Sequence, residues 1–157
     1  MGEILSIDPG TTLSAYTLIN SNTYIPVEFG KIDNCELLKM LDTLKYNEVV
    51  IEMISSYGFR VGRTVFDTCV WIGRFTQKIA DKDILCSTLS RLNVKMNLCG
   101  KTNSKDTNVI AALKMRFGEK GTSKEPGFLY GFKADIWQAF AVGVTYIDIK
   151  KGLYSIS

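Results

Sequence analysis

The chain contains no histidine among its 157 residues. This absence removes every catalytic arrangement with an imidazole base and every metal site with an imidazole ligand. The four cysteines lie far apart without a C-x-x-C pair, so we expect reduced, mostly buried thiols and no zinc site. A bound metal would have oxygen ligands, which favours Mg²⁺ or Mn²⁺, and we expect no organic cofactor.

Long hydrophobic runs are missing as well. No apolar stretch approaches the roughly 20 residues that span a bilayer, and Glu3 in the first predicted strand argues against a signal peptide. We therefore expect no membrane association and a cytoplasmic location. A hydrophobic content of 46% without low-complexity runs excludes a disordered chain and predicts a single domain over residues 1–157.

Basic side chains are scarce in the first part of the chain. Residues 1–59 hold three basic and eight acidic side chains, whereas residues 60–157 hold sixteen basic and eight acidic ones. This distribution indicates either a solvated basic surface or a face that binds a polyanion, and we favour the second interpretation.

Three acidic residues stand in contexts that suit a functional site. Asp8 ends an apolar strand, and Pro9-Gly10 stops that strand in a tight turn. Glu52 interrupts a short apolar run near its end, where a buried carboxylate is unfavourable unless a cation pairs with it. Asp135 stands in the predicted first turn of the last helix. A strand-ending Asp often only caps a turn, so the hypothesis depends on the three together.

The order of the predicted elements indicates an α/β fold with a mixed five-stranded sheet flanked by helices. We predict strands over 3–8, 13–20, 24–33, 48–53 and 83–86, and helices from 33 or 34, over 64–80, from a Ser104 N-cap to about 117, and over 134–148. The first and fourth strands would be central neighbours, with Asp8 beside Glu52, and the last helix would bring Asp135 to the same place. Such a cluster needs divalent cations, and two Mg²⁺ ions ~4 Å apart can support phosphodiester hydrolysis.

Four motifs of the chain resemble those of the RuvC Holliday junction resolvases, in the same order. They are Ile7-Asp8-Pro9-Gly10, Val50-Ile51-Glu52, the loop 100–106 and the segment 134–142. The chain is most similar to the short RuvC-like resolvases of lactococcal phages. The resemblance implies an RNase H-like fold and a homodimer. It also implies a crossover junction endodeoxyribonuclease that makes paired nicks in four-way or branched DNA. A phage-encoded protein of this kind would act in the cytosol of its bacterial host.

The resemblance also implies roles for individual residues. Asp8, Glu52 and Asp135 would be catalytic and bind two Mg²⁺ ions, for which Mn²⁺ substitutes or is preferred. The family pattern Ala-Asp-x-x-Asp-Ala places Gln138 at the position of its second acid, where it would supply a neutral oxygen to the metal. In a second register Asp135 is the final acid, and Phe132 stands three residues before it. In either register the fourth ligand is not a carboxylate.

The basic and aromatic residues of three loops are the candidates for contact with DNA. Tyr57 and Phe59 could stack on unpaired bases at the crossover, or tuck under a lid. Phosphate contacts would come from the positively charged side chains Arg60, Arg63, Lys101, Lys105 and Lys124. Helix 64–80 carries more apolar residues than one core stripe needs, which fits a homodimer interface or a fully buried helix.

Three other functions compete with the resolvase. Asp8-Pro-Gly-Thr-Thr12 resembles the first phosphate loop of actin-like ATPases, but this chain lacks room for their second domain. A catalytically weak protein that binds branched DNA is compatible with Gln138. A nuclease for RNA–DNA hybrids or replication forks would share the same fold.

Overall fold

The computed structural model describes residues 2–156. These residues form five strands and five helices, which follow one another in the order β1 (Glu3–Asp8), β2 (Leu13–Asn20), β3 (Pro26–Asp33), α1 (Asn34–Thr43), β4 (Glu48–Met53), α2 (Arg63–Ala80), β5 (Leu85–Ser90), α3 (Arg91–Cys99), α4 (Asp106–Phe117) and α5 (Ile136–Lys150). Among these residues, no helix combines the length and the apolar character that crossing a membrane requires.

The strands form one mixed sheet in the order β3-β2-β1-β4-β5. β1 to β3 are an antiparallel meander, whereas β4 pairs in parallel with both β1 and β5. β1 and β4 are therefore central neighbours, and their carboxyl ends lie at the same edge of the sheet. The predicted five-stranded mixed sheet is confirmed.

Two hydrophobic cores cover the two faces of this sheet. α1 and α2 pack on the face of Leu5, Ile7 and Ile51, and α5 packs on the face of Ile4 and Val50. Because side chains alternate along a strand, Asp8 and Glu52 belong to the α5 face.

α5 lies unusually close to β1. A Cβ atom added at Gly143 would come within 2.3 Å of Ile19 Cδ1 and 2.7 Å of Ser6 Oγ, so any larger residue would force these side chains to shift. The Ser6 hydroxyl also donates a hydrogen bond of 2.7 Å to the backbone carbonyl oxygen of Ala139. These contacts fix the start of α5 relative to the carboxyl end of β1.

Several sequence predictions of local structure were wrong. β5 covers Leu85–Ser90 instead of 83–86, and the segment after it is a helix, α3, whose last residue Cys99 is followed by Gly100 in a left-handed conformation. Ser90 starts this helix as its N-cap, a signal that the sequence contains. α4 begins one residue later than predicted, with Lys105 as N-cap, because the Ser104 hydroxyl donates to the Lys101 carbonyl oxygen instead.

The cysteines were predicted to be mostly buried, and this too needs correction. All four side chains are free thiols; those of Cys35 and Cys69 are exposed, and those of Cys86 and Cys99 are half-buried. α2 also differs from a fully buried helix, because Phe66 and Val70 are 60% and 62% exposed. The excess of apolar residues on this helix therefore forms an exposed surface.

Candidate active site

A cleft of about 300 Å³ opens where β1 and β4 end. Its lining comes from the two strand ends, the loop after β4 and the start of α3, and consists of Asp8, Pro9, Glu52, Met53, Ile54, Ser55, Tyr57 and Arg91. Ligands of open α/β sheets characteristically bind beyond the carboxyl ends of the strands. We therefore take this cleft as the candidate active site.

The sheet places the two acids of the cleft side by side. Ile7 pairs with Ile51 in the parallel ladder between β1 and β4, so Asp8 and Glu52 are the next residues on adjacent strands. Glu52 is only 7% exposed, and Asp8 is half-buried. Because regular strands hold both residues, their geometry does not depend on a loop.

Burial and the neighbouring charge of Glu52 favour the protonated form of Asp8. Burial is the largest of the effects that raise the pKa of Asp8 to about 8, and the charge of Glu52 and a hydrogen bond with it act in the same direction. The positive charge of Arg91 lowers the pKa, and the charge of Asp135 raises it slightly. A divalent cation between the two carboxyl groups would replace that proton.

Arg91 is a functional-site residue that the sequence analysis missed. Its Nε–H and one Nη–H donate to the two oxygens of Glu52 at 2.7 and 3.3 Å, and another Nη–H donates to Asp106 at 2.8 Å. Burial alone would lower the pKa of Arg91, but the hydrogen bonds and charge of Glu52 raise it overall. The sequence offers one signal for this ion pair, which is that a buried Glu52 requires a cationic partner.

Asp135 lies near the cleft without lining it. It is the N-cap of α5 and not a residue of the first turn, and the preceding Ala134 has a φ of 48°. The Asp135 carboxylate forms an ion pair with the Lys31 ammonium group of β3. The charge of Asp135 still acts on Asp8, but Asp135 does not line the cleft, so the predicted convergence of three acids is incomplete.

The two acids of the cleft are better suited to hold one divalent cation than the two that the sequence analysis predicts. Among residues 2–156, no group of three or more His, Cys, Asp or Glu side chains is arranged to hold a metal ion. Asp8 and Glu52 nevertheless offer buried, mutually repelling oxygen ligands, which suit Mg²⁺ or Mn²⁺. These two residues would be the ligands of one such ion.

Gln138 and Phe132 distinguish the two registers of the last motif. Gln138 is 7% exposed on the first turn of α5, one turn after Asp135. Phe132 is fully buried, with its ring centroid 4.7 Å from that of Phe29 and 5.1 Å from those of Trp137 and Phe140. A metal ligand at position 132 would thus have to replace part of the hydrophobic core, which favours the register with Gln138.

The predicted DNA-binding residues are all exposed, and they come from separate loops. Tyr57 lines the cleft with a φ of 49°, and Phe59 is 80% exposed in the same loop. The basic side chains of Arg60, Arg63, Lys101, Lys105 and Lys124 are exposed as well. Arg63 is the first residue of α2 and has a weak contact of 3.6 Å with Asp67.

Two solved structures resemble this chain over nearly its whole length. A Thermus thermophilus RuvC structure is 14% identical with a TM-score of 0.73, and 96% of each chain is covered. The fold is RNase H-like. A second structure, T. thermophilus RuvC in complex with Holliday junction substrate, is 12% identical with the same TM-score of 0.73 and a coverage of 97% of each chain.

Sequence comparison adds nothing to this structural similarity. Neither a protein-family model nor a curated protein sequence matches the chain. The similarity to lactococcal phage resolvases therefore has no support from these comparisons, while the RuvC-like fold predicted from the four motifs is confirmed.

Proposed function

We propose that this protein is a structure-selective DNA endonuclease that resolves Holliday junctions and related branched DNA by metal-dependent paired nicking. The observation that carries the proposal is the buried Asp8–Glu52 pair at the carboxyl ends of β1 and β4, on a sheet with the RuvC fold. A RuvC structure with this fold has been solved with Holliday junction substrate, which supports branched DNA as the ligand class.

The residues of the cleft would divide the work of phosphodiester hydrolysis. Asp8 and Glu52 would hold Mg²⁺ or Mn²⁺, which supplies an activated water and stabilises charge on the scissile phosphate. Asp135 would contribute after release from Lys31, and Gln138 would offer a neutral oxygen. Exposed basic residues would hold the phosphate backbone.

The assembly that we propose is a single RNase H-like domain over residues 1–157 that acts as a homodimer in the cytoplasm. A four-way junction has approximate two-fold symmetry, and a two-fold dimer places two active sites on opposite strands. The exposed apolar surface of α2 supports this arrangement.

A cleavage assay on four-way, three-way and linear DNA of equal sequence tests the proposal. We expect nicks in the four-way junction with Mg²⁺ or Mn²⁺, slower cleavage of the three-way junction, and none after chelation with EDTA. Equal cleavage of linear duplex would contradict structure selectivity, and cleavage in EDTA would contradict metal dependence.

A second candidate function is binding of branched DNA without efficient cleavage. The neutral Gln138 and the ion pairs that occupy Glu52 and Asp135 favour it. Tight, selective binding of four-way junctions together with no nicking in Mg²⁺ or Mn²⁺ would identify this function instead.

A further inference from the structure

We propose that the Arg91 guanidinium group is a built-in competitor of the divalent cation at the Asp8–Glu52 pair. The inference rests on the proposed metal site and adds a regulatory role for a residue outside the predicted set. Arg91 would occupy Glu52 in the metal-free protein and leave it when a cation binds.

The contacts of Arg91 place its positive charge where a divalent metal ion would bind. Its guanidinium group binds both carboxylate oxygens of Glu52, at 2.7 and 3.3 Å, and it lines the same cleft as Asp8. Glu52 is 7% exposed, so the ion pair lies in a region of weak solvent screening. A cation that binds Glu52 has to displace these hydrogen bonds or share their acceptors.

Asp106 is a second ion-pair partner for the Arg91 guanidinium group after it leaves Glu52. Arg91 follows the N-cap Ser90 of α3, and its third hydrogen bond, of 2.8 Å, goes to Asp106 in the first turn of α4. The Asp106 side chain is 57% exposed, so this contact can persist near solvent. Arg91 can therefore leave Glu52 without losing all of its charged partners, which makes the exchange reversible.

Titration of the DNA-free protein with Mn²⁺ by calorimetry tests the competition. We expect Arg91→Gln to bind Mn²⁺ at least about tenfold more tightly than the wild type, because a nearby positive charge and a competitor are both removed. Arg91→Lys should lie between them, since a lysine keeps the charge but cannot make the two-pronged contact. Arg74→Gln is the matched control, because Arg74 is exposed and stacks on Trp71, and its affinity should equal that of the wild type.

A second measurement uses the wild-type protein, so it does not depend on how the variants fold. The chain has five arginines, which gives a simple side-chain Nε–H spectrum by NMR, and correlation to the backbone signals of the wild type assigns the Arg91 signal. We expect saturating Mg²⁺ to accelerate exchange of the Arg91 Nε–H with water while the Arg116 signal stays unchanged. Arg116 is the internal control because it is paired with Asp148, another buried acid.

The outcomes separate this inference from the proposed nuclease function. Equal or weaker Mn²⁺ binding by a folded Arg91→Gln, an unchanged Arg91 exchange rate in Mg²⁺, or no measurable Mn²⁺ binding by any form would overturn the inference. A wild type that binds Mn²⁺ as expected but cuts no junction would leave the competition intact and refute the nuclease. Junction cleavage by the wild type, together with an Arg91 Nε–H exchange rate that Mg²⁺ does not change, would support the nuclease and refute the competition.

Discussion

Asp8 and Glu52 derive their chemical character from their neighbours in the sheet. Asp8 ends β1 after four buried residues, and Glu52 is the next-to-last residue of β4 after three buried residues, so the carboxyl groups share a place with little water and repel each other. Burial and Glu52 together raise the pKa of Asp8 to about 8. Groups with strongly shifted pKa values in a cleft are typical of functional sites, and Asp8 is such a group.

The first prediction concerns these two acids. Asp8→Asn or Glu52→Gln should lower the rate of junction nicking by at least about 100-fold, because each removes a charged metal ligand. Junction binding, measured by gel shift in Ca²⁺-free buffer, should be equal or tighter, because a negative charge near phosphate disappears. Asp83→Asn is the control, since Asp83 is exposed at the opposite end of the sheet and should cut normally. Retained nicking by either active-site variant would remove that acid from the mechanism.

Sequence reasoning located the acids but not their partners. Asp8 and Glu52 were identified because each stands at or near the end of an apolar run. The predicted pairing of their strands then placed the two acids side by side. Arg91 and Lys31 lie 39 and 104 residues from the acids that they bind, and no local pattern marks such pairs. The contacts of Asp135 therefore required the structure.

At the scale of elements, α5 connects the site to the core. Its first turn follows Asp135 and carries Gln138, and its last turn buries Asp148, which is 2% exposed. Asp148 accepts two hydrogen bonds from Arg116, at 2.7 and 2.8 Å, and one each from Asn97 and Tyr24, at 2.8 and 2.7 Å. The sequence predicted a helix over 134–148, but the polar network at its far end joins three helices and the loop between β2 and β3.

Asp148 should make stability depend on pH in the acidic range. Burial by itself would raise the pKa of Asp148, but the hydrogen bonds from Arg116, Asn97 and Tyr24 lower it overall. A lowered pKa means that the stabilisation is present above the unfolded value near 4 and is lost as pH falls through the folded value.

The second prediction follows from this sign. Asp148→Asn should lower the free energy of unfolding at pH 7 by about 3 kcal/mol, because it leaves the Arg116 guanidinium without its carboxylate. The difference from the wild type should shrink as the pH falls below the unfolded value near 4 and through the lower folded value. Urea denaturation between pH 2.5 and 7 measures it, with Asp83→Asn as the exposed control. A difference that stays constant over this range would show that the charge of Asp148 does not matter.

The third prediction concerns the loop between α3 and α4. Removing Lys101 and Lys105 together, as Lys→Ala, should weaken junction binding and lower the slope of log K against log salt by ~2, because each lost phosphate contact removes ~0.9. Lys39 and Lys45 are exposed lysines in and after α1, and their double replacement is the matched control. An unchanged slope in the first variant would place the DNA on another surface.

At the scale of the whole molecule, the remaining question is how one cleft produces two matched nicks. Most basic residues lie after position 59, in the part of the chain that includes α2, α3 and α4. α2 also has one face that its own core does not cover. Phe66, Cys69, Val70 and Gly73 follow a spacing of three and four residues, so they share this face.

The last prediction tests whether this face joins two copies of the chain. The wild type should sediment as a dimer at micromolar concentration, and Val70→Glu should be a monomer because a charge would be buried at the centre of the contact. Val27→Glu is the matched control, since Val27 is 58% exposed on the edge strand β3 and Val70 is 62% exposed. On a cruciform plasmid, the Val70→Glu monomer should release mostly singly nicked circles, whereas the control should linearise the plasmid. A Val70→Glu variant that stays dimeric would place the interface on another surface, and a wild type that remains monomeric even on a junction would place the paired nicks on independent molecules.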